Sequence, residues 1–563
     1  MKEKILQILK PNSKLYFIAK IITTLLFSLT IVLDKMIVFN GDVHSKYTEL
    51  YFSTFKASYI LYFVLIFIFT YLILSALEVL ADKIETTIYT KKQRKVKNIK
   101  VFFIVWLIIL LCWLPTILSY FPGGIFADTA SSISQAIKEQ PINNHHPILY
   151  TILIKIFIDI ANIFSSTQLQ AIQLGMKLFT VWQVIAMSLT CAYTIYWSYK
   201  KQISSKYLVL ITAFFGIFKL IPLYAISIWK DTPFCIALFL YIIFIAEIVC
   251  TNGKNLEKLK GIITYVLLLT LVAFLRNNGI YIVTLTTIIL LIAYRKNICK
   301  NLKEFTIIAI VQMIICFIIQ GPVYKHYGIS TEFVESVGVP VQQICYVIAN
   351  EGNITETQEK FINNICPIET IKAEYTPGVV DHIKWNGKFN NSYLEENKIQ
   401  FIKVWIKMFI QNPKAYVEAY LLNTMGFWNI NKSTEDLYVN NRMWANPDEF
   451  IGVKQNDYIK EMTNISIRNI VGNNNTISSA MFLMIMIISM MICIYKKRYK
   501  NLLIYIPALA TWITIMIAVP VAFGLRYVYI LVLMIPLSLI VPFLKPERSQ
   551  AKSEEKMQRK VEE

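Results

Sequence analysis

Apolar runs of about 20 residues alternate with short polar connections along most of this chain, the spacing expected of helices that cross a bilayer. Twelve runs stand out, near 15–37, 58–80, 101–119, 171–197, 207–222, 233–250, 261–275, 280–294, 305–320, 478–495, 502–519 and 528–544. A further run, 148–164, is shorter and contains Lys155 and Asp159, which predicts a helix lying at the membrane surface. From Gly321 to about Ile477 long apolar runs are scarce, and the segment is long enough for a small domain. Within it, 400–428 keeps helical apolar spacing interrupted by Pro413, predicting two helices that rest on the membrane. The predicted fold class is an all-α polytopic membrane protein with about 12 transmembrane helices, surface helices and an external mixed or α-rich domain. Its parts are a membrane domain (1–320, with an external loop 120–147), the domain 321–477, C-terminal membrane helices (478–544) and a tail (545–563).

Composition agrees: 56% of the 563 residues are hydrophobic, and mean hydropathy is +0.51. A net charge of +20 invites a nucleic-acid reading. The distribution of the charge removes it. Lys and Arg gather in short connections, as in KKQRKVKNIK (91–100), Lys200–Lys201–Lys206, Lys254–Lys258–Lys260 and KKRYK (496–500). That is the positive-inside pattern. It predicts a multi-pass cell-membrane protein with both termini cytoplasmic and 321–477 outside. Parity supplies the argument for 148–164. An even number of crossings must join the inside clusters near 100 and 200, and 101–119 and 171–197 already provide two. The basic start of the chain leads into a run of full span length, so no cleavable signal is expected. Of nine cysteines most lie in apolar runs as small hydrophobes. Cys345 and Cys366 lie in the polar region, where a disulfide is permitted but not required.

The same alternation places seven polar residues from four connections at the outer ends of spans: Asp128, His145, His146, Lys230, Asp231, Arg276 and Arg526. Each has an ordinary explanation. Asp128 suits the N-cap of a helix over 129–139. The histidines suit a turn before Pro147. Lys230 suits snorkelling beside Trp229, Lys230 and Asp231 as neighbours suit mutual neutralisation, and the arginines suit lipid head groups. Their coincidence on one face argues instead for one site, with Asp128 catalytic and the others binding an anionic substrate. No P-loop, dinucleotide fingerprint, HExxH or metal-type cysteine spacing is present. Sequons, among them those at Asn353, Asn431 and Asn464, are what an Asn-rich chain gives by chance.

The series FPGGIFADT (121–129), NNHHP (143–147), IWKDTPF (228–234), LRNNG (275–279), VPVQQI (339–344) and GLRYVY (524–529) resembles a family of bacterial membrane proteins. That family is similar to glycosyltransferases of the C superfamily, which includes protein O-mannosyltransferases and the aminoarabinose transferases that modify lipid A. The family-level resemblance runs over most of the chain. The superfamily-level resemblance rests on one external acidic loop after a span, surface helices behind it and many spans. It implies that Asp128 is a base or metal ligand, and so admits a divalent cation, Mg or Mn. The chain departs from the superfamily pattern in two ways: no second acid adjoins Asp128, and two spans precede the one before the loop. The expected function is transfer of a sugar from a polyprenyl-phosphate donor to a glycan, lipid or protein acceptor of the cell envelope, among membrane lipids and with no nucleic-acid partner. A transporter or flippase of a lipid-linked or anionic solute is the alternative, although it would place charges mid-span, where this chain has few.

Overall fold

In lipid every backbone N–H and C=O must be satisfied within the chain, so long apolar stretches become helices. The computed structural model describes residues 13–39, 50–90, 98–298, 302–329, 333–430, 452, 455–468, 478–518, 521–522 and 524–546. The basic N-terminal residues, most of the cluster 91–100, residues 431–451 and the C-terminal tail beyond 546 lie outside them. Among the described residues eight helices are long and apolar enough to cross a membrane. The protein is an all-α polytopic membrane protein.

In chain order the helices that matter are α1 (Lys14–Met36), α2 (Ser58–Thr87), α3 (Lys100–Tyr120), α4 (Ala127–Ala136), α5 (Ile148–Asn162), α6 (Gln168–Lys200), α7 (Ser205–Ile217), α8 (Leu220–Ile226), α9 (Asp231–Cys250), α10 (Leu259–Leu275), α11 (Gly279–Ala293) and α12 (Lys303–Ile318). There follow α13 (Gly338–Ala349), α14 (Lys398–Gln411), α15 (Pro413–Asn423), α16 (Ser479–Tyr495), α17 (Ile506–Ala518) and α18 (Ile530–Ile540). Every one of the twelve apolar runs coincides with helix. The run 207–222 is a pair, α7 and α8, bent by 51°. The runs at α10, α11 and α16 give helices of 17, 15 and 17 residues, short for a perpendicular crossing. The span at α12 continues through a π turn (Ile319–Val323) to His326, so the polar region begins after it rather than at Gly321.

Burial sorts these helices into two layers. α9 and the last span, Leu525–Phe543, are mostly buried and form the centre of the main core. α2, α3 and α12 keep most of their apolar surface outward, as lipid-facing helices do. Residues 333–430 have a core of their own, including Val334, Ile344, Val347, Ile362, Val380, Leu394 and Met408. Cys345 and Cys366 belong to that core as free thiols. Pro413 opens α15 as the first helical residue, where its missing N–H costs nothing. α14 exposes a stripe of Ile399, Ile402, Ile406, Phe409 and Ile410. The domain docks on the connection between α17 and α18. There Ala522 donates its N–H to the Gly378 carbonyl (2.8 Å), and Gly426 donates to the Ala522 carbonyl (2.9 Å).

α6 has 33 residues, about 50 Å of helix. Phe102 and Tyr196 meet near one end of α3, and Thr180 Oγ1 donates to the Pro122 carbonyl just past its other end. The first dozen or so residues of α6 therefore project beyond α3. α5 packs on that projecting part, with Ile158 against Gly175 and Tyr150 near Phe179. It does not run beside α3.

Candidate functional site

Two short strands join the connections that carry the candidate residues. β3 (Gly124–Ile125) and β4 (Ser227–Ile228) pair in parallel, after the antiparallel β1 (Ile37–Phe39) and β2 (Leu50–Phe52). Gly123 has φ +104°, and a Cβ there would overlap the Ile226 carbonyl oxygen. Only glycine permits so close an approach. Gln183 of α6 clamps the second strand by donating to the carbonyls of Ala225 and Ser227 (both 2.8 Å). Thr129 of α4 bonds the Ile228 carbonyl, and Phe126 stacks on Trp229 at 3.8 Å. These contacts bring Asp128 opposite Lys230.

Capping, the ordinary explanation for Asp128, does not hold. α4 starts at Ala127 with Phe126 at its N-cap, and Asp128 stands inside the first turn. Its carboxylate accepts from Arg526 at 2.9 Å and lies 3.5 Å from Lys230. Lys230 donates to His146 Nδ1 at 2.9 Å. Arg276 donates to the Tyr527 carbonyl at 3.0 Å and lies 3.1 Å from the Asp231 carboxylate. Arg526 also bonds the Tyr527 hydroxyl and lies over the Trp229 ring. Asn277 donates to the Asn144 carbonyl at 2.7 Å and so ties α10 to the histidine turn.

All seven predicted residues meet around one cavity of about 270 Å³. Five line it: Asp128, His145, Lys230, Arg276 and Arg526. Two, Asp231 and His146, do not line it. Asp231 is fully buried behind the cavity and holds Arg276. His146 is also buried and holds Lys230. The far wall comes from residues the sequence did not single out: Glu335, Asp381, Lys384 and Trp385 of the 333–430 domain. Lys384 bridges Glu335 (2.8 Å) and Asp381 (2.9 Å), and exposed Trp385 meets His145 edge to face. The segment DHIKW (381–385) crowds an acid, two bases and an indole into five positions, but nothing in its spacing says which surface it faces.

Electrostatics set what this cavity can do. Burial would raise the Asp128 pKa. Lys230 and Arg526 outweigh it and hold the carboxyl well below its usual range. Burial and Lys230 push His146 down to about 2, and burial with Lys230 also lowers His145. His146 is thus neutral. Lysine can only donate, so Nδ1 accepts and the imidazole proton sits on Nε2. The lining has four basic side chains (Lys230, Arg276, Lys384, Arg526) against three acidic ones (Asp128, Glu335, Asp381). The acids are already paired, so an incoming anion must compete with them for the cations. A resident divalent cation does not fit this donor set. Among the described residues no three His, Cys, Asp or Glu side chains gather as ligands, and each lining carboxylate is held by a cationic side chain.

A pH effect follows. The unfolded chain protonates His146 below about 6.5, while the fold keeps it neutral to about 2. Between those values the unfolded state binds more protons, so stability rises with pH across that window and is lost as pH falls from about 6.5. At pH 5 the expected loss from this residue is about 2 kcal/mol. Unfolding temperature followed from pH 7.5 to 5 should drop in the wild type and drop less in His146→Asn, whose amide oxygen can still accept from Lys230. Equal slopes in both would mean that His146 is not held neutral.

Searches of curated proteins and of solved structures find no match. One family model does match, over residues 136–558, which takes in every cavity-lining residue named above except Asp128. The match covers 423 of the 563 residues, and the chain belongs to the family of unknown function DUF6020.

Proposed function

We propose that the protein is a membrane glycosyltransferase that moves a sugar from a polyprenyl-phosphate donor to an envelope acceptor. The observation that carries this reading is Asp128 held between Arg526 and Lys230, with Arg276 alongside, in one cavity at the shared ends of several spans. On this reading all twelve apolar helices cross, the architecture is like that of the C superfamily, both termini are cytoplasmic, and the cavity and the 333–430 domain face outside. α5, packed on the projecting part of α6, lies at the outer surface. Nucleotide sugars are cytoplasmic, so a transferase facing outward needs a lipid-borne donor, whose phosphate would sit where these helix ends meet the head groups.

In the reaction the acceptor oxygen attacks the anomeric carbon, the bond from that carbon to the phosphate oxygen breaks, and the phosphate leaves as an anion. Arg526, Lys230 and Arg276 stabilise the developing charge. The acceptor proton passes to Asp128, and a single displacement inverts the anomeric centre. A carboxylate paired with two cations is a weak base. As the donor phosphate draws Arg526 and Lys230 toward itself, Asp128 regains basicity beside the acceptor. Glu335, Asp381 and exposed Trp385 form the wall available to the acceptor. The transporter alternative gains little support, because the charges of this cavity stand at helix ends; the buried Lys20–Glu78 pair joins α1 to α2 instead.

The phosphate requirement can be tested without knowing the sugar. A polyprenyl phosphate added to the purified full-length protein is expected to raise its unfolding temperature, by the equivalent of about 2.7 kcal/mol at 100 times Kd. The uncharged polyprenol should do much less. Equal responses to both lipids, or none, would remove the proposed donor.

A further inference from the structure

We infer that the opposite end of the molecule binds an anionic phospholipid in a second cavity, independently of the function proposed for the first. This cavity, about 760 Å³, lies between α6, α9 and α10, at the ends of those helices remote from Asp128. One part of its wall is apolar, with Trp197, Leu240, Phe244 and Leu268. The other part is polar and mostly basic, with Lys200, Lys254, Lys258 and Lys260 against Glu247 and Glu257. Lys200 lies over the Tyr196 ring at 5.1 Å. The exposed ammonium groups of Lys254, Lys258 and Lys260 have no hydrogen bond or ion pair among the described residues. Glu247, the acid deepest in this wall, is already taken by Trp197 (2.7 Å) and Lys201 (3.0 Å).

Two further features point to an anion. α10 begins at Leu259 with Lys258 as its N-cap, no side chain caps it, and its first turn holds no acidic residue. A helix start of this kind leaves backbone N–H groups without partners and attracts negative charge. The turn before it carries Asn255, whose buried amide nitrogen has no hydrogen-bond partner among the described residues. A Cβ on Gly261 would overlap the Asn255 carbonyl, so this glycine lets the turn fold directly against the helix start. A phosphate at the α10 N-terminus would take the Asn255 amide and two or three lysines. An acyl chain would lie along Phe244 and Leu268, where the groove faces the bilayer. Basic pockets between membrane helices recognise lipid phosphates in this way. The shared chemistry is a phosphate anion; the apolar part of the wall selects the lipid as its source.

The test uses delipidated full-length protein in detergent, with bound lipid read by native mass spectrometry. Short-chain phosphatidylglycerol is expected to bind, phosphatidylcholine to bind far more weakly, and inorganic phosphate not to displace the lipid. Each lysine removed should weaken phosphatidylglycerol about fivefold, so K254Q/K258Q/K260Q should lose about 10²-fold. A control with the same charge change, K360Q/K403Q/K407Q, should not. These side chains are exposed, and their loss leaves the core intact. Thr264→Trp, which fills the groove without changing charge, should also weaken binding. Equal affinity for the two lipids, or wild-type affinity in the K254Q/K258Q/K260Q protein, would overturn the proposal. Displacement by inorganic phosphate, or indifference to Thr264→Trp, would overturn the lipid as the source of the anion.

Discussion

Asp128→Asn is expected to lower sugar transfer by about 10²–10⁴-fold, the usual cost of removing a general base. The amide keeps the shape of the side chain and can still accept a hydrogen bond from Arg526, so the geometry around it should survive. What it loses is the proton-accepting charge. Asp128 keeps about a quarter of its side-chain surface accessible, so water screens part of the lost pairing, and a stability cost of about 1–3 kcal/mol is expected. The two effects must be measured together, as transfer from a polyprenyl-phosphate sugar in nanodiscs and as unfolding temperature of the same preparation. Lost transfer from a folded protein supports the catalytic assignment. Near-normal transfer would show that Asp128 serves to hold Arg526 and Lys230. Arg526→Lys separates those roles further, because it keeps the charge but loses the planar fork that holds a phosphate.

Arg276→Gln is expected to have the largest effect on stability. Asp231 has no accessible surface, and neither of its oxygens accepts a hydrogen bond among the described residues. Its burial is offset by the Arg276 charge at 3.1 Å and by its place in the first turn of α9. Removing the arginine strands a buried carboxylate, at a cost of about 3–5 kcal/mol. Adding Asp231→Asn removes the stranded charge and should restore most of the loss. Additive losses in the double variant would mean that the two residues are not coupled, and that Arg276 is free to serve the cavity alone. Any transfer defect in Arg276→Gln is interpretable only beside the Asp231→Asn/Arg276→Gln protein, since the single change disturbs the α9 start from which Lys230 projects.

The apolar helices were legible because their signal is local. A helix in lipid needs an uninterrupted apolar run, and each of the twelve runs became helix with bounds close to those expected. Pro413 between α14 and α15 was legible for the same reason, since proline fixes its own φ and lacks an N–H. Charge alternation went further and placed Asp128, His145, Lys230, Arg276 and Arg526 at one depth, which is why four separate connections pointed to one cavity. Depth, however, is a single coordinate. It could not say that Asp231 and His146 turn inward to hold Arg276 and Lys230. Nor could it find Glu335, Asp381, Lys384 and Trp385, whose domain lies in a polar stretch with no span to set its level. Those choices depend on which surfaces pack together: the β3–β4 pairing that Gly123 permits, and the docking of Gly378 on Ala522. Composition and periodicity determined that the chain folds as membrane helices with a polar cluster at their ends. Only the tertiary packing decided which members of that cluster face the cavity and which support it, because burial and ion pairing join residues from different connections, 45 positions apart for Asp231 and Arg276 and 84 for His146 and Lys230.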